Sequence, residues 1–461
     1  MKSFSSFHSN AILDPQIFVA NVQKLCLDLA KHLFPNDTPE VILAREVHSL
    51  WMGFNKNRDK LAANYMDKEP SRLAYLAGFL LPNIQKVFGI LCKQEGRIHA
   101  SLLKGTNEIH LLDFGSGPLS ASVGFLFWLG NQKLSVPIKK IKIVAVDRNK
   151  EVVLRGISLL EPSKRFPKIE VEFHNNLDKI EKNKFDLIFS VNALNEIPLD
   201  KRLKILKSLL AARAPGGVIV YVEPGQDVHS RELGFVRDRL LESMMQGNSP
   251  TTVLAPCFHD KPCPLSLHSN RPDWCWFSDP WEDIPQAISL LDRWCGFDHK
   301  SLSYSFLLIG KKVSGFKAHR VLSDVIRLEP NGNDHTKFEK IKSYMIRNLP
   351  PNLDPSLLQI ISGAGFFEKQ ILCTASGALK SLWFVPGFSK SSLQKLRGDF
   401  VNQSDFTLNH WLVLPEQNKL VDLKESFVES GLKKIKKKRT LKDKMAATSK
   451  PAKSTLSKKK K

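Results

Sequence analysis

The sequence has no uninterrupted apolar run of the roughly 20 residues that a membrane span requires. Its longest apolar stretches, such as VGFLFWLG at 123–130, are too short. It also lacks a compact apolar N-terminal segment followed by a small-residue cleavage site, so the opening MKSFSSFHSNAILDP argues against secretion. Serines and the absence of acids before Asp14 keep an organelle transit peptide open, although no Arg is present there. Cytoplasm is the expected compartment, with the mitochondrial matrix as the alternative. Cysteine is scarce: seven thiols, an odd number, are spread thinly except in one segment. That excludes a secreted disulfide scaffold and suits a reducing compartment in which thiolates hold a metal. Acid is short relative to base, 46 Asp and Glu against 68 Lys and Arg, for a net charge of +22. Residues 431–461 carry 14 Lys or Arg against Asp443 alone, +13 of that total, which leaves +9 for the rest. Such a balance favours a polyanionic partner, nucleic acid or an anionic surface.

The 461 residues are enough for several domains. Residues 1–104 read as helical. QIFVANVQKLCLDLAKHLF spaces its apolar residues three and four apart, and SRLAYLAGFLLPNIQKVFGILCKQ continues the pattern with a break or kink at Pro82. From 105 to 314 the period changes. IHLLDF, KIVAVD, KIEVEFH, FDLIFSV and GGVIVYVEP are short Val- and Ile-rich runs separated by helix-length stretches, the pattern of parallel strands buried on both faces. The fold class is therefore α/β, a doubly wound Rossmann-like sheet, with an N-terminal helical region. Residues 315–425 read as a small β-containing module, with strands in ILCTASGALKSLWFVP and HWLVLP. Residues 426–461 form a Lys-rich tail expected to be disordered.

HLLDFGSGPLSAS ends a strand at Asp113 and turns through Gly115 and Gly117, where glycine permits a tight bend and close approach to a ligand. About 30 residues on, IVAVDRN ends the next strand at Asp147, placed to accept hydrogen bonds from ribose hydroxyls. The order D-x-G-x-G, not G-x-G-x-x-G, points away from NAD. It resembles the class I S-adenosylmethionine-dependent methyltransferases. In those, the glycine loop underlies the amino-acid end of the cofactor and the second acid binds the ribose. Leu119 stands where a third glycine is usual and is expected to narrow the loop. After the fourth strand, SVNALNEIP offers Asn192, Asn195 and Glu196 as polar groups, Asn192 being grouped with the cofactor-binding residues. Neither an N-P-P-Y-type tetrapeptide nor a suitably placed nucleophilic Cys is present, so no residue is assigned a catalytic role.

PCFHDKPCPLSLHSNRPDWCW, at 256–276, gathers Cys257, Cys263 and Cys275. A tetrahedral zinc or an iron–sulfur site needs four ligands. Spacing leaves His259, His268, Cys295 and Cys373 as candidates for the fourth. Pro256, Pro262 and Pro264 stiffen the segment and lower the entropy lost when thiolates converge.

Taken together, VEPG, RDRLL, APCFHDKPCPL and DWCWF resemble the Rsm-type methyltransferase-like family, whose mitochondrial and bacterial members are associated with the small ribosomal subunit. LAYLAGFLLPNIQKV resembles that family's helical lead-in. HRVLSDVIR and ILCTASGALKSLWFVPGFSKSSLQKLRGDFV resemble its C-terminal module. The likeness runs from about residue 70 to 400. It implies a four-iron, four-sulfur cluster on Cys257, Cys263, Cys275 and Cys373, with zinc as the alternative. The wide loop from Leu267 to Arg271 departs from the more compact family spacing. Cys26, Cys92 and Cys295 read as core residues. Two functions follow: a methyltransferase acting on small-subunit ribosomal RNA, or an inactive rRNA-binding assembly factor that retains the fold. No membrane partner is expected.

Overall fold

A computed structural model describes residues 12–55, 64–102, 107–132, 137–163, 168–246, 250–257, 259–266, 273–312, 319–322, 326–329, 335–349, 356–374, 376–390, 392–393, 400–401 and 411–415. His268, the loop from Leu267 to Arg271 and the Lys-rich tail lie outside these residues.

Asp14 accepts from the backbone N–H of Gln16 and Ile17, and with Pro15 in the first turn it starts helix α1, Pro15–Leu33. Phe18, Val22, Cys26 and Ala30 recur every four residues and form its buried stripe. Helix α2 spans Pro39–Asn55. A continuous rod follows, made of α3 (Glu69–Tyr75), one π-helical turn (Leu76–Leu80) and α4 (Leu81–Lys93). The irregularity expected at Pro82 is this wide turn, which absorbs the missing N–H without breaking the rod. By length and apolarity Glu69–Lys93 could cross a membrane, contrary to the sequence reading, yet 78% of its apolar window is buried inside the protein. It is a core helix. Helix α5 covers Glu95–Leu102.

The α/β part then runs β1 (Glu108–Phe114), α6 (Ser120–Gly130), β2 (Lys140–Val146), α7 (Lys150–Leu160), β3 (Lys168–His174), β4 (Phe185–Val191), α8 (Leu199–Ala212), β5 (Arg213–Pro224), α9 (Asp227–Gln246), β6 (Thr251–Ala255), β7 (Phe277–Pro280), α10 (Gln286–Cys295) and β8 (Ser301–Lys311). The sheet order is β3-β2-β1-β4-β5-β8-β6, with β7 also on β8. Strands β1 to β5 are parallel, and β8 is antiparallel to β5. This is the strand order and the single reversal of the class I methyltransferase fold. The order reverses between β1 and β4, so the crevice for a ligand opens at their carboxyl ends. Helix α6 is buried from Ser120 to Leu129 because it lies beneath the rod. A Cβ on Gly124 would come within 2.8 Å of the Ile84 carbonyl.

Strands β6 and β7 were not expected. Both pair with the same edge of β8, β7 against 301–304 and β6 against 308–311. The cysteine segment is thus an excursion from one point on that edge and back to it.

A second, wholly antiparallel sheet follows. Its elements are β9 (His319–Val321), β10 (Ile326–Leu328), α11 (His335–Arg347), α12 (Ser356–Gly363), β11 (Phe367–Cys373), β12 (Leu379–Phe384), β13 (Phe400–Val401) and β14 (Leu412–Pro415). The order is β13-β9-β11-β12-β14, with β10 also on β11. Helices α11 and α12, absent from the sequence reading, cover one face through Phe338, Ile341, Met345, Leu357 and Ile361.

Candidate cofactor cleft and thiol cluster

Gly115 and Gly117 follow β1 with φ of +67° and +48°, the left-handed region that glycine enters without cost. Space at Gly115 is absolute, because a Cβ there would lie 2.2 Å from the Ala193 Cβ at the end of β4. The loop is tied to the next strand: the Gly117 N–H donates to Asp147 Oδ2 at 2.9 Å, and the Asn149 N–H to Oδ1 at 2.9 Å. Burial raises the Asp147 carboxyl, opposed by those backbone donors. Each carboxylate oxygen keeps a second lone pair for a ligand.

Asp113 is placed differently. It is 1% exposed, and its Oδ2 accepts from the Ser122 hydroxyl at 2.6 Å and the Ser122 N–H at 3.2 Å. Burial pushes it up to about 7. Asp113 fastens β1 to the first turn of α6 and does not reach the cleft wall. Leu119 also departs from expectation. It adopts φ +64° at the start of α6, a strain of about 1–2 kcal/mol for a residue with a Cβ. Its side chain is fully buried beneath Gly156 and leaves the cleft open.

Asn192, at the end of β4, also has positive φ, +53°. Its Nδ2 donates to Asn83 Oδ1 at 3.1 Å, and Asn83 Nδ2 donates to the Tyr75 hydroxyl at 3.4 Å. Asn149, besides capping α7 through Val152 N–H, donates to Met66 O and Asp67 Oδ1. The Tyr65 hydroxyl donates to Glu196 at 3.1 Å. Helical-region residues 64–83 therefore form the second wall of a cleft of ≈ 1750 Å³ that contains Gly115, Gly117, Asp147, Asn192, Asn195 and Glu196. Two buried carbonyl oxygens in it, Asn192 Oδ1 and Asn195 Oδ1, have no hydrogen-bond donor among the described residues. Open acceptors beside a glycine cradle fit a ligand that donates hydrogen bonds. Tyr75, Asn83 and Asn149 escaped the sequence reading. A buried Asn beside Pro82 in an apolar run was the available signal for Asn83.

The four thiols named from the sequence are neighbours. Cys257 leaves β6, and Cys275 enters β7. The Ser305 hydroxyl, mid-way along β8, donates to the Cys275 carbonyl at 2.8 Å. Asp238 on α9 accepts from the Cys263 N–H at 2.9 and 3.0 Å. Cys373 closes β11 of the second sheet, with its Sγ 3.5 Å from His259 Nε2. Cys263, Cys275 and Cys373 pack on Leu265, Leu322 and Ile371. The β11–β12 turn docks on the same segment through Gly377, where a Cβ would stand 2.9 Å from the Lys261 Cβ.

Burial raises the Cys263 and Cys373 thiols strongly, and the charges of Cys257 and Cys275 raise both further. The fully buried Arg237 is lowered by burial, but Cys257, Cys263 and Asp238 more than reverse that. His259 is pushed down to about 4 by burial and then by Arg237. Soft donors of one type, crowded in an apolar pocket beside one guanidinium, are a set that a cation would deprotonate and hold. Among the described residues, however, no three His, Cys, Asp or Glu side chains already close around one ion. No disulfide joins any of the cysteines among the described residues. Cys295 lies apart and donates to the Ala44 carbonyl at 3.3 Å.

Residues 107–327 match the family described as mitochondrial small ribosomal subunit Rsm22. The mitochondrial ribosome assembly protein METTL17 of Homo sapiens is 28% identical over 182 residues, 38% of this chain and 37% of that protein. The match thus spans little more than a third of the curated relative. Among solved structures, an S-adenosylmethionine-dependent methyltransferase from Leishmania major aligns over 48% of this chain and 73% of its own, at 14% identity and TM-score 0.28. Magnesium protoporphyrin IX methyltransferase from Synechocystis PCC 6803 aligns over 50% and 81%, at 10% identity and TM-score 0.29. The family likeness read from the sequence is matched over 107–327.

Proposed function

With residues 107–327 an Rsm22-type, class I methyltransferase-like region, we propose that this protein is an S-adenosylmethionine-dependent methyltransferase serving assembly of the small ribosomal subunit, with ribosomal RNA as acceptor. The observation that carries this is the cleft: Gly115, Gly117, Asp147 and Asn192 converge at the reversal point of the sheet, with unmet acceptors among them. Asp147 would take the ribose hydroxyls and the glycine loop the amino-acid end. Asn192 and Asn195 would receive the remaining donors, while Asp113 holds the loop from behind. Bound there, the cofactor supplies an electrophilic methyl group. The name of the curated relative supports the mitochondrial matrix over the cytoplasm expected from the N-terminus. The test is calorimetric titration with S-adenosylmethionine, followed by transfer of labelled methyl to small-subunit rRNA. Absence of binding removes the reading.

A second reading, an assembly factor without turnover, is favoured by one observation. Asn192, where a target-holding tetrapeptide would begin, spends its amide on Asn83. Binding of the cofactor without methyl transfer would select it.

We further propose that Cys257, Cys263, Cys275 and Cys373 hold a four-iron, four-sulfur cluster. The cluster would clamp a module at 315–425 onto the sheet at 105–314. What supports this reading is the gathering of four thiols from both sheets, three of them packed together on an apolar patch and Cys257, Cys263 and Cys275 all close enough to Cys373 to raise its thiol. Anaerobically purified protein should be brown and contain iron and sulfide. Colourless protein containing zinc would refute this. The Lys-rich tail would add phosphate contacts whose affinity falls with salt.

A further inference from the structure

The cleft is larger than a cofactor needs, since pockets for small ligands are commonly about 300–1,000 Å³ and this one is ≈ 1750 Å³. Its surplus lies away from the glycine loop, between α2 and the end of α10, and is built differently. Gly296, with φ +69°, ends α10 and reverses the chain, so that the Phe297 N–H donates back to the Asp292 carbonyl at 3.0 Å. That reversal lays Phe297 against α2. Its ring is parallel to His48 (6.2 Å, 11° between planes) and 5.2 Å from Trp51. Beside this wall stands Trp294, 47% exposed although it lines the cleft, with the exposed Arg293 next to it.

Trp294 is not an isolated exposed side chain, since it lines the same cavity as His48, Trp51 and Phe297, and an aromatic patch of this kind marks a ligand-binding groove. Flat rings with a guanidinium alongside are how proteins hold unpaired bases of single strands: the rings stack on the base and the cation meets the backbone. Asp67, Asp147 and Glu196 line the glycine-loop end with Arg148 among them, whereas at the other end Arg45 and Arg293 outnumber the one carboxylate there, Asp298, so a phosphate chain would be turned toward the Arg293 end. We infer that this half of the cleft is a stacking site for one unpaired base of a single-stranded RNA, held between Trp294 and the His48–Phe297–Trp51 wall, with Arg293 on its phosphate. The inference rests on the proposed rRNA acceptor and adds where that RNA enters. The base and the cofactor would occupy two ends of one cavity.

The full-length protein should bind a single-stranded oligoribonucleotide of about 10 nucleotides, with quenching of tryptophan fluorescence, at a salt concentration where the tail alone binds weakly. Trp294→Ala should weaken binding by roughly 5- to 100-fold. Trp294→Phe should keep most of the affinity, and Arg293→Gln should lower the salt slope by about 0.7. S-adenosylmethionine titration of Trp294→Ala serves as the control for an intact fold. Unchanged RNA affinity in a Trp294→Ala protein that still folds would overturn the site, as would duplex RNA binding as tightly with the same dependence on Trp294. Wild type that ignores S-adenosylmethionine yet needs Trp294 for RNA would refute the methyltransferase reading and leave the stacking site standing.

Discussion

The two sheets of this molecule reach order by different means. The parallel sheet is covered on both faces. One continuous apolar core joins α1, the rod, α6 and α7 to its strands, and a second core packs α8 and α9 on the other side. The antiparallel sheet divides its apolar residues between two small groups, one under α11 and α12 and one around Leu372, Leu382 and Val401. A third group, where it meets the rest of the protein, consists of four aliphatic side chains and three cysteines. The first sheet can stand on burial alone. The second meets it over a small apolar patch, and the proposed cluster on its thiols would supply the anchorage that so small an area does not.

Breaking the proposed anchor should have the largest effect. In Cys373→Ser, iron and sulfide should fall to background, and amide exchange should rise across 319–415 while 108–224 stays protected. Equal loss of protection in both sheets would show that the contrast is false. Next comes the cleft, which lies between the parallel sheet and the helical region and away from the second sheet: Asp147→Ala should weaken S-adenosylmethionine binding by about 10- to 100-fold, the worth of one charge-assisted hydrogen bond. It should leave the iron content untouched. A milder blow at the junction is Gly377→Ala. The new Cβ, forced into φ +79° and against Lys261, should destabilise the second sheet by about 1–3 kcal/mol, seen as a lower first transition in calorimetry. The smallest effect is a matter of pH. Burial raises the Glu223 carboxyl, at the end of β5, to about 8 from an ordinary 4.5. Its contribution is whole below pH 4.5 and is lost as pH climbs through 8. Glu223→Gln keeps an acceptor for the Asn195 N–H and should flatten the fall in melting temperature over that window. An unchanged pH profile would mean that Glu223 is charged in the fold.

What could be read from the sequence follows the same division. Strands β3 and β4 are legible to the residue, β4 as the nearly continuous apolar run of a strand buried on both faces, and β3, at the edge of the sheet, by the alternation of Ile, Val and Phe with charged residues. Strands β6 and β7 are only five and four residues long, β7 ends in Asp279 and Pro280, and both exist because β8 offers them an edge. Helix α11 carried a usable signal in the spacing of Phe338, Ile341, Tyr344 and Met345. In the cleft, the glycine loop and Asp147 announce themselves by local pattern. Tyr75, Asn83 and the harmless burial of Leu119 depend on how separate elements stack, which no local spacing encodes.

The π turn at Leu76–Leu80 works as a phase adjuster. Residues eight apart on a regular α-helix would point about 80° away from one another. Slack of about one residue, roughly 100° of rotation, is taken up between Tyr75 and Asn83, and their side chains meet on a single line above the crevice. Were the same eight-residue spacing wound as an even α-helix, the tyrosine would swing about 80° out of line, uncoupling the helical wall from a pocket whose own residues had not been touched.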